Sequence, residues 1–277
     1  MTTLSLGYSP CPNDTYIFHA LIHGQIPCGE LTFTERLEDV ETLNQLALQG
    51  ALDLTKISFH AFGHLRDRYV LLRSGAALGR GCGPLIVADG AITLEQLRGK
   101  AIAIPGQLTT ANLLLQLYLG GTDKLLILPF DQIMDAVRQG QAAAGVIIHE
   151  SRFTYQQYGL QQLVDLGQWW EEETGHPIPL GGILAKRNLG EERIRQVDQA
   201  LRRSIEYAHS HPQQATSYIR EHAQELDDTV IRRHIDLYVN DYSLDLSKDG
   251  LAAIACLLAR AEQIGIIPKS DLPLTIF

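Results

Sequence analysis

Cysteine is scarce in this chain, and the four cysteines are too scattered to form a paired motif. Cys11, Cys28, Cys82 and Cys256 contain no C-x-x-C spacing among them. Zinc ribbons and redox dithiols need closely spaced cysteines, so neither is indicated, and we expect four reduced thiols. Organic-cofactor and metal motifs are equally lacking, since there is no H-E-x-x-H, no P-loop and no G-x-G-x-x-G after a strand. The sequence therefore predicts a protein without metal or organic cofactor.

Long apolar runs are also lacking. No stretch approaches the roughly 18 to 20 residues that a membrane span requires. The first residues include no basic segment followed by an apolar one, which argues against a secretory signal. We therefore expect a cytoplasmic protein that does not enter a membrane.

Basic residues are in the minority. Lysine and arginine number 23 against 32 acidic residues, a formal net charge of −9. Such a balance argues against a general nucleic-acid binder. The expected partner is a small-molecule substrate, and whether the chain also forms a homodimer stays open. Hydrophobic residues make up 45% and charged residues 20% of the 277 positions, as in ordinary globular proteins, so disorder is excluded.

Short apolar runs alternate with helical patterns over the first two thirds of the chain, and the last third is mainly helical. Strands alternating with helices predict an α/β fold whose sheets are mostly parallel and covered on both faces. The predicted strands span residues 4–8, 31–37, 52–57, 70–73, 85–88, 101–104, 125–128, 143–148 and 180–185. The predicted late helices span residues 191–209, 212–223, 228–238 and 247–264.

Capping residues mark several helix starts. Asp39 and Ser58 each follow a predicted strand and precede a helical pattern, and Thr93 with Gln96 has capping-box spacing. In the loop of residues 9–14, two prolines end the first strand, and Asn13 or Asp14 is expected to cap a helix over 15–23. From local sequence alone, this loop is equally a rigid turn or part of a ligand site.

Two further loops combine polar groups with a predicted strand end. Lys56 lies within the apolar run 52–59, so its ammonium must either reach solvent or meet an anion. Residues 105–111 join a glycine turn to Thr109 and Thr110 at a helix start, where backbone N–H groups and the positive dipole end can bind an anion. An ordinary threonine cap explains the same residues.

His149 is the most informative single residue. It follows the apolar strand 143–148, at the carboxyl end where crevice residues of α/β proteins lie. An imidazole titrates near pH 6.5, so its free base can remove a proton at neutral pH. A hydrogen-bonded structural histidine is the alternative interpretation.

For two histidine pairs and two tryptophans, the sequence does not decide between a functional and a structural role. His19 with His23 and His60 with His64 have the i, i+4 spacing of two ligands on one helix face, but no third ligand can be named. Trp169 and Trp170 precede three glutamates and fit either a lid or core packing.

Taken together, four motifs resemble the 1,4-dihydroxy-6-naphthoate synthase family of the futalosine route to menaquinone. These motifs are S-P-C-P-N-D-T-Y-I-F at 9–18, L-D-L-T-K-I-S at 52–58, P-G-Q-L-T-T-A-N at 105–112 and G-V-I-I-H-E at 145–150. The resemblance extends to about residue 187, with a compatible helical tail. The chorismate dehydratase sister family looks less similar at the first and last motifs.

The resemblance implies a two-lobe, type 2 periplasmic-binding-protein-like fold with mostly parallel sheets and a central cleft. On that pattern, and with the strands over 85–88 and 180–185 crossing between lobes, residues 1–87 and 182–277 form the large lobe, and 88–181 form the small lobe. The implied activity is a carbon–carbon lyase reaction that converts cyclic dehypoxanthinyl futalosine to 1,4-dihydroxy-6-naphthoate.

The resemblance also implies roles for particular residues. His149 matches the catalytic base of the family. The residues that match ligand-holding segments are Lys56, Ile57, Ser58, Thr109, Thr110 and Ala111. Two alternatives stay open: an enzyme like the chorismate dehydratases, and a non-catalytic solute-binding or sensor protein of the same fold. His149 and the lack of a secretory signal favour the enzyme.

Overall fold

The chain folds into two units, and the first is built from two separate stretches of sequence. A computed structural model describes residues 1–90, 92–122, 124–224 and 227–277. It places Met1–Gly79 and Pro179–Phe277 in the first unit and Arg80–Ile178 in the second. The boundaries expected from sequence, after residues 87 and 181, fall inside two strands.

The N-terminal stretch of the first unit alternates strands with helices. Its elements are β1 (Thr2–Tyr8), α1 (Pro12–Ile22), β2 (Leu31–Leu37), α2 (Val40–Leu48), β3 (Leu54–Ser58), α3 (Phe59–Gly63), β4 (Tyr69–Leu71) and β5 (Ala77–Gly79). Asp39 caps α2 as predicted, accepting hydrogen bonds from the N–H groups of Glu41 and Thr42. The prediction for α1 was wrong at its start: Cys11 is the N-cap residue, and Asn13 and Asp14 lie inside the first turn. Pro12 explains the earlier start, because its fixed φ suits the first helical position.

The second unit contains the middle third of the chain. Its elements are β6 (Leu85–Asp89), α4 (Leu94–Leu97), β7 (Ile102–Ile104), α5 (Thr110–Leu119), β8 (Leu125–Ile127), α6 (Ile133–Arg138), β9 (Ala144–Ile147), α7 (Ser151–Thr154), β10 (Leu160–Asp165) and α8 (Leu166–Thr174). The predicted capping box of Thr93 and Gln96 is present at α4. α7, β10 and α8 were not predicted.

The C-terminal stretch begins with one long strand and continues as helices, as predicted. Its elements are β11 (Ile178–Lys186), α9 (Glu191–Ser210), α10 (Thr216–His222), α11 (Asp228–Tyr238), α12 (Asp241–Leu244) and α13 (Ser247–Gln263). α9 packs on α1 through Ser204, whose buried hydroxyl donates to the carbonyl of Ile17 and accepts from the N–H of Leu21. Among the residues that the structure describes, no helix is long and apolar enough to cross a lipid bilayer.

Both sheets are mixed, although mainly parallel pairing was expected. The first has strand order β2-β1-β3-β11-β4, with β5 paired to β11; β1 is parallel to β2 and β3, whereas β11 is antiparallel to β3 and β4. The second has order β10-β6-β9-β7-β8; β7 is parallel to β8 and β9, and β6 is antiparallel to β9 and β10. The antiparallel pairs come from strands that join a sheet from a distant part of the chain, which a local pattern does not reveal.

Each unit has its own apolar core. In the first, buried residues of β1, α1 and α9 form one cluster that includes Leu6, Phe18 and Leu201. In the second, β6, β7, β9 and α6 contribute Val87, Ala103, Ile147 and Met134. These cores place the carboxyl ends of the parallel strands at a defined edge of each sheet.

Candidate functional site

The carboxyl edge of the first sheet brings together two of the motifs singled out from the sequence. β1 and β3 are adjacent and parallel, with Leu6 opposite Leu54 and Gly7 opposite Thr55. The loop after β1 and the last residues of β3 therefore end at the same edge, where α/β proteins commonly bind ligands.

Lys56 meets an anion at this edge, and that anion is Asp14 of the same chain. The lysine Nζ lies 2.7 Å from Asp14 Oδ1, and the two side chains are 8% and 2% exposed. Of the two alternatives that the sequence left open, the structure selects burial against an anion over contact with solvent. Because Asp14 neutralises it, Lys56 adds hydrogen-bond donors to the site and little net positive charge.

Asp14 is the centre of a buried polar group that we call the Asp14 cluster: Ser9, Asn13, Asp14, Lys56 and His234. Asp14 Oδ2 accepts from the N–H of Ser9 at 3.2 Å and from its hydroxyl at 2.7 Å, and Oδ1 accepts from Asn13 Nδ2 at 2.9 Å. His234 Nε2 lies 2.8 Å from Asn13 Oδ1 and donates to it. The loop of residues 9–14 is therefore a turn that several buried hydrogen bonds hold in place.

Ser58 is held by a residue that the sequence analysis did not single out. Its N–H donates to Asn44 Oδ1 at 3.0 Å, and Asn44 Nδ2 donates to its hydroxyl at 3.2 Å. Ser58 does occupy the N-cap position of α3, but its hydroxyl is oriented by Asn44. The signal for Asn44 was available, because a lone asparagine interrupts the buried face that Leu43 and Ala47 form on α2.

The carboxyl edge of the second sheet brings together the other two motifs. β7 and β9 are adjacent and parallel, with Ile102 opposite Ala144 and Ala103 opposite Gly145. The loop that leads from β7 into α5 and the residues after β9 therefore leave the sheet at the same edge. This register places the start of α5 and His149 on one side of the second unit.

Thr109 caps α5, as one of the two interpretations predicted. Its hydroxyl accepts from the N–H of Asn112 at 3.2 Å and donates to the carbonyl of Gly106 at 2.8 Å. Thr110 and Ala111 are the first residues of the helix and are buried. A first helical turn also presents N–H groups and the positive dipole end. Capping by Thr109 and anion binding by this turn are therefore compatible.

His149 has an unusual backbone conformation. Its φ is +55°, one of two positive values among the described residues other than glycine. The imidazole is half-buried, and its centre lies 5.0 Å from that of the Phe130 ring. The next residue, Glu150, is buried, and its Oε2 has no hydrogen-bond partner among the described residues. Left-handed backbone is strained for residues other than glycine, and such strain is concentrated at functional sites.

The two other histidine pairs do face one another on their helices. The ring centres lie 4.4 Å apart for His19 and His23, and 5.7 Å apart for His60 and His64. His23 Nδ1 is already 2.9 Å from the carbonyl of His19. Within either unit, the described residues add no third metal-ligating side chain to these pairs.

The two tryptophans differ from one another. Trp170 is fully buried and donates from Nε1 to the carbonyl of Pro177, so it belongs to the core of the second unit. Trp169 is half-buried and packs edge-on against Tyr118.

A second buried polar group lies beside β1 and was missed from sequence. The phenols of Tyr8 and Tyr218 both donate to Glu35 Oε2, and their oxygens are 2.6 Å apart. Burial, followed by the hydrogen bond to Glu35, raises the pKa of Tyr8 above its ordinary range, and the same two causes raise the pKa of Tyr218. These phenols stay protonated at neutral pH and act as donors.

The fold is that of the periplasmic-binding proteins. The alkanesulfonate-binding protein of Xanthomonas axonopodis pv. citri superposes with a TM-score of 0.71 at 18% identity, covering 98% of this chain and 96% of that one. A Candida albicans protein described as having the generic periplasmic binding protein fold gives a TM-score of 0.68 at 17% identity, covering 98% and 92%. At such low identity the likeness shows the fold alone.

Sequence similarity defines a narrower group. A family model described as menaquinone biosynthesis matches residues 4–263. The 1,4-dihydroxy-6-naphthoate synthase of Thermus thermophilus is 54% identical over 276 residues, 100% of both chains, and that of Streptomyces coelicolor is 45% identical, covering 96% of this chain and 95% of that one. A solved structure from Archaeoglobus fulgidus has a TM-score of 0.90 at 37% identity, covering 96% and 98%. The chain belongs to the menaquinone biosynthesis family and is an enzyme, which confirms the resemblance carried by the four motifs.

Proposed function

We propose that this chain is a lyase that converts cyclic dehypoxanthinyl futalosine to 1,4-dihydroxy-6-naphthoate in the cytoplasm, with His149 as general base. The observation that carries the base assignment is the position of His149 at the carboxyl edge of the second sheet, in a strained backbone conformation. The end-to-end similarity to two relatives with this name supports the reaction itself.

The chemistry requires a base near neutrality. Forming an aromatic ring from a cyclised sugar adduct means removing a proton from carbon and releasing the sugar-derived fragment. An imidazole has an ordinary pKa of about 6.5, so its neutral form accepts a proton at working pH without large tuning. The C–H proton moves to the unprotonated ring nitrogen of His149, and the electron pair left on carbon forms a new double bond of the aromatic ring. The bond to the sugar-derived fragment breaks at the same time, and the fragment leaves with that electron pair and takes up a proton.

Substrate binding is assigned to two segments. The start of α5, with Thr109, Thr110 and Ala111, offers backbone N–H groups suited to a carboxylate. The end of β3 offers Lys56, Ile57 and the Ser58 hydroxyl that Asn44 orients. Since Asp14 neutralises Lys56, the helix start is the better candidate for the substrate's negative charge.

The experiment is incubation of the purified protein with cyclic dehypoxanthinyl futalosine, followed by mass spectrometry. The enzyme returns 1,4-dihydroxy-6-naphthoate and the released fragment. If the protein bound the substrate in a one-to-one ratio and all of it were recovered intact, the chain would instead be a solute-binding or sensor protein. A parallel incubation with chorismate tests the sister activity, and conversion of chorismate alone would overturn the proposal.

A further inference from the structure

The backbone that follows His149 is tied to Arg152. The carbonyl of His149 accepts from the N–H of Arg152 at 3.3 Å, and the carbonyl of Glu150 accepts from the N–H of Phe153 at 2.8 Å. These bonds form the first turn of α7, a helix of only four residues. Because a helix this short has little stability of its own, contacts with other parts of the chain must hold His149 in place.

The side chain of Arg152 supplies such an attachment. Its Nη2 lies 2.5 Å from Asp165 Oδ2, and its Nη1 donates to the carbonyl of Gly83. The side chains of Arg152 and Asp165 are 16% and 11% exposed. A planar guanidinium that donates to two acceptors in different directions fixes orientation as well as distance.

The point of attachment is itself hydrogen-bonded and closely packed. Asp165 Oδ1 caps α8 by accepting from the N–H groups of Gly167 at 2.9 Å and Gln168 at 3.1 Å. The backbones at Gly83 and Gly167 touch so closely that a Cβ on Gly83 would lie 2.3 Å from the Gly167 Cα. Arg152 therefore joins α7 to a closely packed part of the second unit, where the backbones at Gly83 and Gly167 are in contact.

We infer that Arg152, anchored by Asp165 and the Gly83 carbonyl, is a positioning residue that holds the His149 imidazole in its working orientation. A left-handed residue other than glycine persists only where its surroundings impose it. Phe130 restrains the ring from one side, and the Arg152 anchor restrains the backbone that carries it. This inference rests on the proposed role of His149 as base.

The test compares Arg152→Gln with Arg138→Gln. Arg138 is a matched control, since it also pairs with an aspartate of the second unit, Asp135 at 3.7 Å, but with both side chains about half exposed. We expect Arg152→Gln to lower kcat about 10- to 100-fold with KM within about threefold, because a small displacement of a catalytic group is costly. Arg138→Gln should leave kcat and KM unchanged. An unchanged kcat in folded Arg152→Gln would overturn the inference.

A double-mutant cycle separates positioning from mere stabilisation. In a His149→Asn background there is no imidazole to position, so adding Arg152→Gln should change the residual rate by less than about threefold. If Arg152→Gln lowers that rate by the same factor as in the wild-type background, its role is structural and the inference is wrong.

A charge-neutral variant covers the case in which Arg152→Gln does not fold. Removing one partner of a buried ion pair leaves an unpaired charge, whereas removing both avoids that cost. Arg152→Gln/Asp165→Asn keeps an oxygen that can cap α8, and we expect it to fold with kcat as low as the single variant. Wild-type turnover by this folded variant would contradict the inference.

Nuclear magnetic resonance of the imidazoles gives a readout that is independent of activity. The His149 signal is the one lost in His149→Asn; Arg152→Gln should shift or broaden it, and Arg138→Gln should not. If His149→Asn retained full turnover, the proposed base would be wrong, yet this signal would still decide whether Arg152 positions the ring. An unshifted signal would overturn the inference.

Discussion

The two sheet edges that carry the candidate site residues differ in how their polar groups are satisfied. At the edge of the first sheet, Asp14 accepts from a serine, an asparagine and a lysine. At the edge of the second sheet, His149 has a positive φ, and the buried Glu150 Oε2 has no hydrogen-bond partner among the described residues. At the first edge the buried carboxylate is paired within the chain, and at the second edge backbone strain occurs beside a buried carboxylate oxygen that has no hydrogen-bond partner among the described residues.

This difference indicates that the two edges have different functions. A satisfied polar network is rigid and keeps its geometry without a ligand, which suits substrate placement. Strained backbone and unpartnered polar groups cost stability and persist at sites of chemistry. We therefore expect the first edge to act as a pre-organised contact surface, whereas the second edge carries both the proposed base and the α5 start proposed for the substrate's negative charge.

The largest effect is expected at His149. His149→Asn should lower kcat by about 10² to 10⁴, the usual contribution of a general base, and leave substrate affinity within about tenfold. The acidic limb of the wild-type pH–rate profile should report protonation of this base, and the limb should vanish in the variant. Steady-state kinetics and substrate titration check both. Folded His149→Asn with wild-type kcat would remove the contrast between the two edges.

Changes in the Asp14 cluster should lower the free energy of unfolding, whereas changes at His149 should mainly lower kcat. Lys56→Met leaves the Asp14 carboxylate buried without its counter-charge, which typically costs about 3 to 5 kcal/mol of unfolding free energy. Asp14→Asn/Lys56→Met should recover much of that loss. Urea unfolding followed by circular dichroism measures the free energy of unfolding of each variant. As a control, Arg202→Met breaks an exposed pair with Glu206 and should change stability by less than about 1 kcal/mol. An equally small effect of Lys56→Met would refute the first half of the comparison.

Backbone strain at position 149 predicts a reversed order of stability. Glycine adopts a positive φ without the steric cost that alanine has there, so His149→Gly should be more stable than His149→Ala by about 1 kcal/mol. At the exposed strand position Gln161 the order should invert, with alanine better than glycine by about 0.5 to 1 kcal/mol. Thermal and urea unfolding of the four variants decide the point. If alanine were more stable than glycine at both positions, the backbone at His149 would not be strained.

The smallest effect concerns the phenols beside the first edge. The pKa of Tyr8 and of Tyr218 is raised by burial and by Glu35, so the folded state retains two protons that the unfolded chain loses near pH 10. The stability that these phenols contribute is present below that pH and is lost as pH rises towards their folded pKa values. Tyr218→Phe should weaken this alkaline decline. Tyr158→Phe, which removes a surface phenol, should leave it as in the wild type, as tyrosinate absorbance and urea unfolding would show.

Some features could be predicted from the sequence because they depend only on residues that are neighbours along the chain. Asp39, Thr93 and Thr109 cap helices as predicted, since a cap bonds to an N–H only two or three residues away. The position of His149 after an apolar strand was equally readable. By contrast, β10 was missed because Gln161 and Gln162 are exposed and a register shift interrupts the strand beyond them, so no alternating pattern is visible.

Local sequence patterns were enough to predict the α/β class, most strand and helix positions and the four motifs that mark the family. Four contacts came from folding and not from local patterns. Asp14 neutralises Lys56, Asn44 orients Ser58, His234 donates to Asn13, and Arg152 donates to the Gly83 carbonyl. The physical reason is distance along the chain. Periodicity and capping act within a few residues, whereas the charge and orientation of a buried group depend on partners that only folding brings beside it.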